Sequence, residues 1–271
     1  MEFATTPPQL AAEMDHIERA MGGRLCFAIQ NLQTGESYAR RATEKCKTAS
    51  IIKLPMLVYL ATAVHAGELS WDQTLTLTDA EKVGGSGVLT LLGAGLKLTL
   101  KDVCMLMTII SDNTGTNMLI EEFGVEPVNN CIRAIGLQHT TLLRKSFAVD
   151  THKSAAYGLG VTTAEDMCLL VATLARREES GDAAATECLG ILEHQAFRDG
   201  IPRLLPPDWK YAGKTGAIDH VRNDVGLVTT ASGARYALAI LCQDLHEVLW
   251  TPENRGLLAI AEVARLLTCA L

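Results

Sequence analysis

No stretch of this 271-residue chain approaches the ~20 consecutive apolar residues of a membrane-spanning helix. Residues Met1 to Leu10 hold no basic segment followed by an apolar run, so no signal peptide is expected. On that reading the chain is cytoplasmic as it stands, or periplasmic or secreted if a leader has been removed. Positive charge is not in excess: 24 Lys and Arg stand against 31 Asp and Glu, a net charge of −7, which argues against a nucleic-acid partner. The basic pairs Arg40-Arg41 and Arg176-Arg177 are isolated and read as solvated surface. The 8 cysteines include no CxxC and no zinc-type spacing, and the 7 histidines no HExxH, so neither a metal nor a cofactor is expected. Most cysteines sit among apolar neighbours, as in Val103-Cys104-Met105, and read as buried free thiols, which favours a reducing compartment. Repeats, low-complexity tracts and long Gly/Ser linkers are also missing. Gly84-Gly85-Ser86-Gly87 is not a phosphate loop, because no Lys-Ser/Thr follows it into a helix.

What is present is apolar material, 48% of residues, enough for one large domain or two intimate lobes. Pro8 to Met21 has amphipathic helical spacing closed by Gly22-Gly23, and Arg24 to Gln30 reads as a strand, followed by Ser37 to Arg41. Near the other end, Asp224–Thr230 and Arg235–Cys242 form a hairpin across Ala231–Ala234, and Pro252–Leu271 is helical in pattern. The middle is mostly helical: Ser50–Ala66, Thr99–Ile110, and Thr163–Arg177 with Thr163 as N-cap. The expected fold is α/β (α+β), one catalytic domain over residues 1–271. An antiparallel sheet from both chain ends with flanking helices (about 1–48 and 201–271) would carry an inserted helical lobe (about 49–200).

Three short segments carry chemistry. In Ser50-Ile51-Ile52-Lys53 a helix start puts serine and lysine on one face. A lysine whose pKa is lowered by burial or by a second cation can take the serine proton, and unpaired N–H groups of a first helical turn favour an oxyanion. Alone, this pair is equally a capping Ser followed by a surface Lys. In Ser111-Asp112-Asn113, Ser111 could shuttle a proton and Asn113 could bind a substrate amide; a plain helix end and turn is the competing account. In Lys214-Thr215-Gly216, an edge-strand Lys214 could face a cleft and bind a carboxylate while Gly216 permits close backbone approach; an exposed turn lysine is the alternative. The ordered set of three is roughly a one-in-a-thousand accident.

With SxxK, SDN and KTG in that order, the chain resembles the superfamily of class A β-lactamases and penicillin-binding proteins, from Leu25 to Leu267. Gly136-Leu137 and Thr162–Met167 add to the likeness, although the family's usual proline is missing from the latter. The resemblance implies a β-lactamase/transpeptidase-like fold and a serine hydrolase that forms an acyl-enzyme. Ser50 would be acylated, Lys53 its activating base, and Ser111 the carrier of the proton to the leaving nitrogen. Asn113 would hold an acylamino group, Lys214 and Thr215 a carboxylate. The N–H groups of Ser50 and Ala217 would form the oxyanion hole. The implied partner is a small molecule, a β-lactam or an acyl amide or ester bearing a carboxylate, met by a monomer.

One departure matters. Class A β-lactamases carry a Glu-x-x-x-Asn element after the SDN helix, whose Glu activates the deacylating water. Aligned on Leu142 and Arg144, this chain places Ser146 at the Glu and Asp150 at the Asn. Losing a general base slows its step by about 10²–10⁴. A slow β-lactamase is therefore expected, with a D,D-peptidase or esterase, or a non-catalytic β-lactam sensor, as alternatives. Asp150 is a candidate substitute base, or else a loop carboxylate pairing with Lys53, Arg144 or Lys145; Glu165 is explained by its place in a first helical turn. Arg222 could assist Lys214, His220 reads as a surface-loop residue, and Trp71, Trp209 and Trp250 as core or edge packing.

Overall fold

The computed structural model describes residues 3–4, 6–148 and 154–271. Helix α1 (Pro8–Met21) buries Leu10, Met14, Ile17 and Met21, one stripe at helical spacing, and stops at Gly22, whose left-handed backbone (φ 67°) lets its N–H reach the Glu18 carbonyl. Strands β1 (Arg24–Asn31) and β2 (Ser37–Arg40) follow, then the two-residue β3 (Cys46–Lys47). After a 3₁₀ turn over Ala49–Ile52 come α2 (Lys53–His65), β4 (Thr74–Thr76), β5 (Lys97–Thr99), α3 (Leu100–Ile109), α4 (Asn113–Phe123) and α5 (Glu126–Ile135). The chain continues through β6 (Thr141–Leu142), β7 (Gly160–Thr162), α6 (Ala164–Glu179) and α7 (Ala183–Glu193). It ends with β8 (Lys210–Ile218), β9 (Val221–Thr229), β10 (Arg235–Gln243) and α8 (Arg255–Ala270). Among the described residues, no helix is long and apolar enough to cross a membrane.

Five strands form one antiparallel sheet in the order β2-β1-β10-β9-β8, so the two chain ends meet in register, Arg24 opposite Gln243 and Asn31 opposite Tyr236. The sheet is covered on both faces, and its strands alternate in size rather than in polarity. Leu25, Phe27, Ile29, Leu238 and Ile240 join Met14 and Ile17 of α1 and Ile260 and Val263 of α8 in one core. Cys26, Ala28, Ala237 and Ala239 point the other way, and their small volume admits α6, whose Met167, Leu170 and Val171 lie in the second core. Each large side chain so buried contributes roughly 1.5–3 kcal/mol. The fold is the mixed α/β, β-lactamase/transpeptidase-like arrangement expected, and β8, carrying Lys214, is an edge strand.

Two details differ from the sequence pattern. Ser50–Ala66 is not one α-helix: Ala49 takes a positive φ of 45°, Ala49–Ile52 is 3₁₀, and the α-helix begins at Lys53. The 3₁₀ form eclipses positions three apart, and the Lys53 N–H donates to the Ser50 carbonyl. The chain also contains the two-stranded sheet β4–β5 and the three-stranded sheet β3–β7–β6, whose two- and three-residue strands are too short to show a period of two.

Candidate active site

Ser50 is half-buried and opens onto a cleft of about 640 Å³, lined also by Asn113, Ser146, Phe147, Ala217 and Trp250. Its turn is anchored to the sheet by a buried amide pair. Asn223 on β9 donates to the carbonyls of Lys47 (2.9 Å) and Thr48 (3.0 Å), and accepts at 2.8 Å from Gln243, whose own amide oxygen accepts the Lys47 N–H at 3.0 Å. Truncating one member would leave the others buried and unpaired. Asn223 and Gln243 carry no local signal, because their partners Lys47 and Thr48 lie 175 to 196 residues away in sequence.

Lys53 is fully buried at the head of α2. Its Nζ donates to the Ser111 carbonyl (2.8 Å), to Ser111 Oγ (3.2 Å) and to Asn113 Oδ1 (2.8 Å). Burial, with the charge of Lys214 added, pushes the Lys53 ammonium well below its usual range; Asp112 opposes the shift. The shift favours the neutral amine, the form a base requires; in that form Nζ carries two N–H, and the third contact, with Ser111 Oγ, is one the serine hydroxyl donates. Ser111 reaches it because the break between α3 and α4 gives this serine a left-handed backbone, φ 57°. Asp112, to which sequence reasoning gave no role, holds that break. Its carboxylate caps α4 at the Gly115 N–H (2.9 Å) and accepts the N–H groups of Val88 (2.6 Å) and Leu89 (2.9 Å) from the glycine loop. A Cβ at Gly87 would lie 2.2 Å from that carboxylate, so the Gly84–Gly87 stretch serves close approach to the site. The Asn113 amide donates to the Gly84 carbonyl at 3.1 Å.

Lys214 is also fully buried, not an exposed turn lysine, and its Nζ donates to the Thr215 carbonyl at 2.8 Å. Burial lowers its pKa to about 7, against the pull of Asp224. Thr215, Gly216 and Ala217 continue β8 along the Ser50 turn: a Cβ on Gly216 would lie 2.8 Å from the Thr48 carbonyl oxygen and 3.0 Å from the Ser50 nitrogen. Ser50, Asn113 and Ala217 thus line one cleft, Gly216 lies against the Ser50 turn, Lys53 and Ser111 are bonded to each other and to Asn113, and Lys214 is buried on the same strand as Ala217.

Other sequence expectations fall elsewhere. Arg222 does not assist Lys214: its guanidinium donates to the carbonyls of Ile218 (2.8 Å), Val221 (2.7 Å) and Leu249 (2.6 Å) and stacks at 4.5 Å on Trp250. Trp250 is correspondingly a cleft-rim residue, 62% exposed, and not core. His220 is exposed and bonded through Nδ1 to the Leu245 carbonyl. Glu165 sits in the first turn of α6. Ser146 lines the cleft, with its N–H and carbonyl both bonded to the Asn117 amide, at 2.8 and 3.2 Å. Asp150 lies outside the described residues.

A buried lysine pair beside a serine at the mouth of an α/β cleft, with SxxK, SDN and KTG brought together, is the constellation of a serine hydrolase of the β-lactamase type. The chain belongs to the β-lactamase enzyme family, whose model matches residues 9–271. The crystal structure of a β-lactamase from Sphaerobacter thermophilus DSM 20745 is similar at a TM-score of 0.86 and 31% identity, covering 96% of both chains. A β-lactamase of Rhodobacter capsulatus is 26% identical over 254 residues, 89% of this chain and 83% of that protein. The fold is shared as well with the solved structure of PBP-A, at a TM-score of 0.85 and 23% identity, over 100% of this chain and 98% of that one.

Gly216 offers a direct test of the strand-to-turn contact. A methyl there meets backbone atoms of Thr48, Ser50 and Ile51, none of which can rotate away. Gly216→Ala is expected to destabilise the protein by about 1–3 kcal/mol. It should also slow the reaction of Ser50 with an activated ester at least about tenfold, because near-attack geometry is lost. Thermal melting and the rate of mass increase check both.

Proposed function

We propose that the protein is acylated by β-lactams on Ser50 and releases the product slowly. Lys53 Nζ, as a free amine, takes the Ser50 hydroxyl proton while Oγ bonds to the lactam carbonyl carbon. The oxyanion is held between the N–H groups of Ser50 and Ala217. As the tetrahedral intermediate collapses and the C–N bond breaks, the proton on Lys53 passes through Ser111 Oγ to the leaving nitrogen. The Lys53–Ser111 contact of 3.2 Å supports that route. Lys214 and Thr215 bind the substrate carboxylate, and Asn113 the acylamino side chain.

Deacylation needs an activated water, and here the reading departs from a fast enzyme. Ser146, at the position of the family's glutamate, supplies no base of its own, and among the described residues lining the cleft Asp219 is the one carboxylate. The same observation favours a second reading, a D,D-peptidase or esterase that makes the same acyl-enzyme from acyclic substrates. The observation that carries the proposal is the buried Lys53, three residues along the 3₁₀ turn from Ser50 and bonded to Ser111 Oγ. Mixing the protein with a penicillin and with a chromogenic cephalosporin, and following hydrolysis and intact mass together, tests it. A burst of about one equivalent with a persistent adduct on Ser50 is expected. Fast turnover with no adduct would overturn slow release, and no reaction with either compound would overturn the β-lactam assignment.

A further inference from the structure

Phe147 is an exposed aromatic residue that core packing does not explain. Its side chain is 68% exposed and lines the Ser50 cleft. Its backbone is left-handed, φ 57°, a conformation costly for a bulky residue. The neighbours hold it there. Asn117 clasps Ser146, accepting its N–H at 2.8 Å and donating to its carbonyl at 3.2 Å. The Arg144 guanidinium donates to the carbonyls of Lys145 (3.2 Å) and Ala148 (2.7 Å), and the Ala148 N–H closes the turn on the Lys145 carbonyl at 3.4 Å. Lys145 is in turn paired with Glu121. The chain is thus bonded on both sides of Phe147, and a ring with no core to fill is fixed at the cleft. A single apolar side chain on a loose loop would be ordinary surface. A costly conformation persists only where its surroundings over-determine it, and such positions cluster at ligand clamps.

The ring stands beside the amide that would hold a substrate amide. Gly85, itself left-handed at φ 83°, lies between the two: a Cβ there would be 3.3 Å from Phe147 Cζ, 3.4 Å from Cε2 and 2.7 Å from Asn113 Nδ2. A side chain at residue 85 would therefore fill the space where ring and amide meet. Asn113 Nδ2 carries two N–H groups, of which Gly84 takes one through its carbonyl at 3.1 Å.

We infer that Phe147 is a specificity-determining residue, and that the acyl donors this site prefers carry an aromatic ring on the acyl side of the amide held by Asn113. The inference rests on the acyl-enzyme reading proposed above. An aryl group on that acyl chain meets the Phe147 ring edge-to-face or offset, and the contact takes apolar surface of both rings out of water. A methyl in its place offers far less area. Because the turn is already pinned, little freedom is lost when the ring is covered.

The test compares a penicillin bearing a phenylacetylamino group with its acetylamino counterpart. Second-order acylation rates, each divided by the rate of the same compound with hydroxide, are measured for wild type and for Phe147→Ala, Phe147→Tyr and Phe147→Gly. Wild type should favour the aryl compound by about tenfold, and in Phe147→Ala the preference should shrink to within about twofold, mainly through a slower aryl reaction. Phe147→Tyr keeps a ring and should keep the preference. Phe147→Gly suits the left-handed backbone, so it should lose the preference yet melt no lower than Phe147→Ala. Binding of phenylacetylglycine and of acetylglycine, two amides with a carboxylate and no reactive bond, should show the same preference and the same loss when followed by chemical-shift titration. That arm decides the inference even if neither penicillin acylates the protein, a result that would instead overturn the acyl-enzyme reading. No aryl preference in wild type by either measure, a preference that survives Phe147→Ala, or an equal loss with aryl and acetyl compounds would overturn the inference.

Discussion

Ser50→Ala is expected to yield no covalent adduct with any penicillin, cephalosporin or activated ester, and hydrolysis at least about 10³-fold below wild type. The size follows from the geometry. At the mouth of the cleft, a water in place of Oγ would have to be oriented without the chain's help. The fold should survive, because the hydroxyl is half-buried at the mouth of the cleft while its turn is held by Asn223 and Gln243. Intact mass and thermal melting on one sample separate loss of chemistry from loss of structure. Wild-type turnover by the alanine variant would show that Ser50 is not the nucleophile.

Ser146→Glu is expected to speed release of the penicilloyl adduct by about 10²–10⁴, the usual worth of a general base. Ser146 is 7% exposed and borders the cleft with Ser50, and its buried Oγ has no hydrogen-bond partner among the described residues, so the exchange breaks no hydrogen bond described for that side chain. The backbone there is already clasped on both sides by the Asn117 amide, at 2.8 and 3.2 Å. A carboxylate grafted onto this position would thus be presented from a fixed turn. Asn117→Ala in the same background should remove most of the gain, which would show that the clasp and not the carboxylate alone sets the geometry. The decay rate of the acyl-enzyme by mass is the readout. No acceleration in Ser146→Glu would mean that the deacylating water is bound elsewhere, and Asp150→Asn in the wild-type background would then show whether that residue serves it.

Contacts that are local in sequence were the legible ones. Thr163 caps α6 by accepting the Asp166 N–H, Gly22 ends α1 in a left-handed turn, and the Thr230–Arg235 turn joins β9 to β10, each because a few adjacent residues settle their own backbone. The SxxK, SDN and KTG segments could be found for the same reason, and their order along the chain indicated one site.

What tertiary structure alone decided was environment. The sequence could offer Lys53 as a base only on condition that its pKa falls, and only its complete burial, with the charge of Lys214 added, supplies that condition, while burial brings Lys214 to about 7. The Asn223–Gln243 anchor, the stacking of Arg222 on Trp250 and the Asp224–Tyr211 pair all join side chains from separate strands and loops. Spacing fixes which side chains share a helix or strand face, whereas desolvation and hydrogen-bond partnership depend on what the rest of the chain packs against that face.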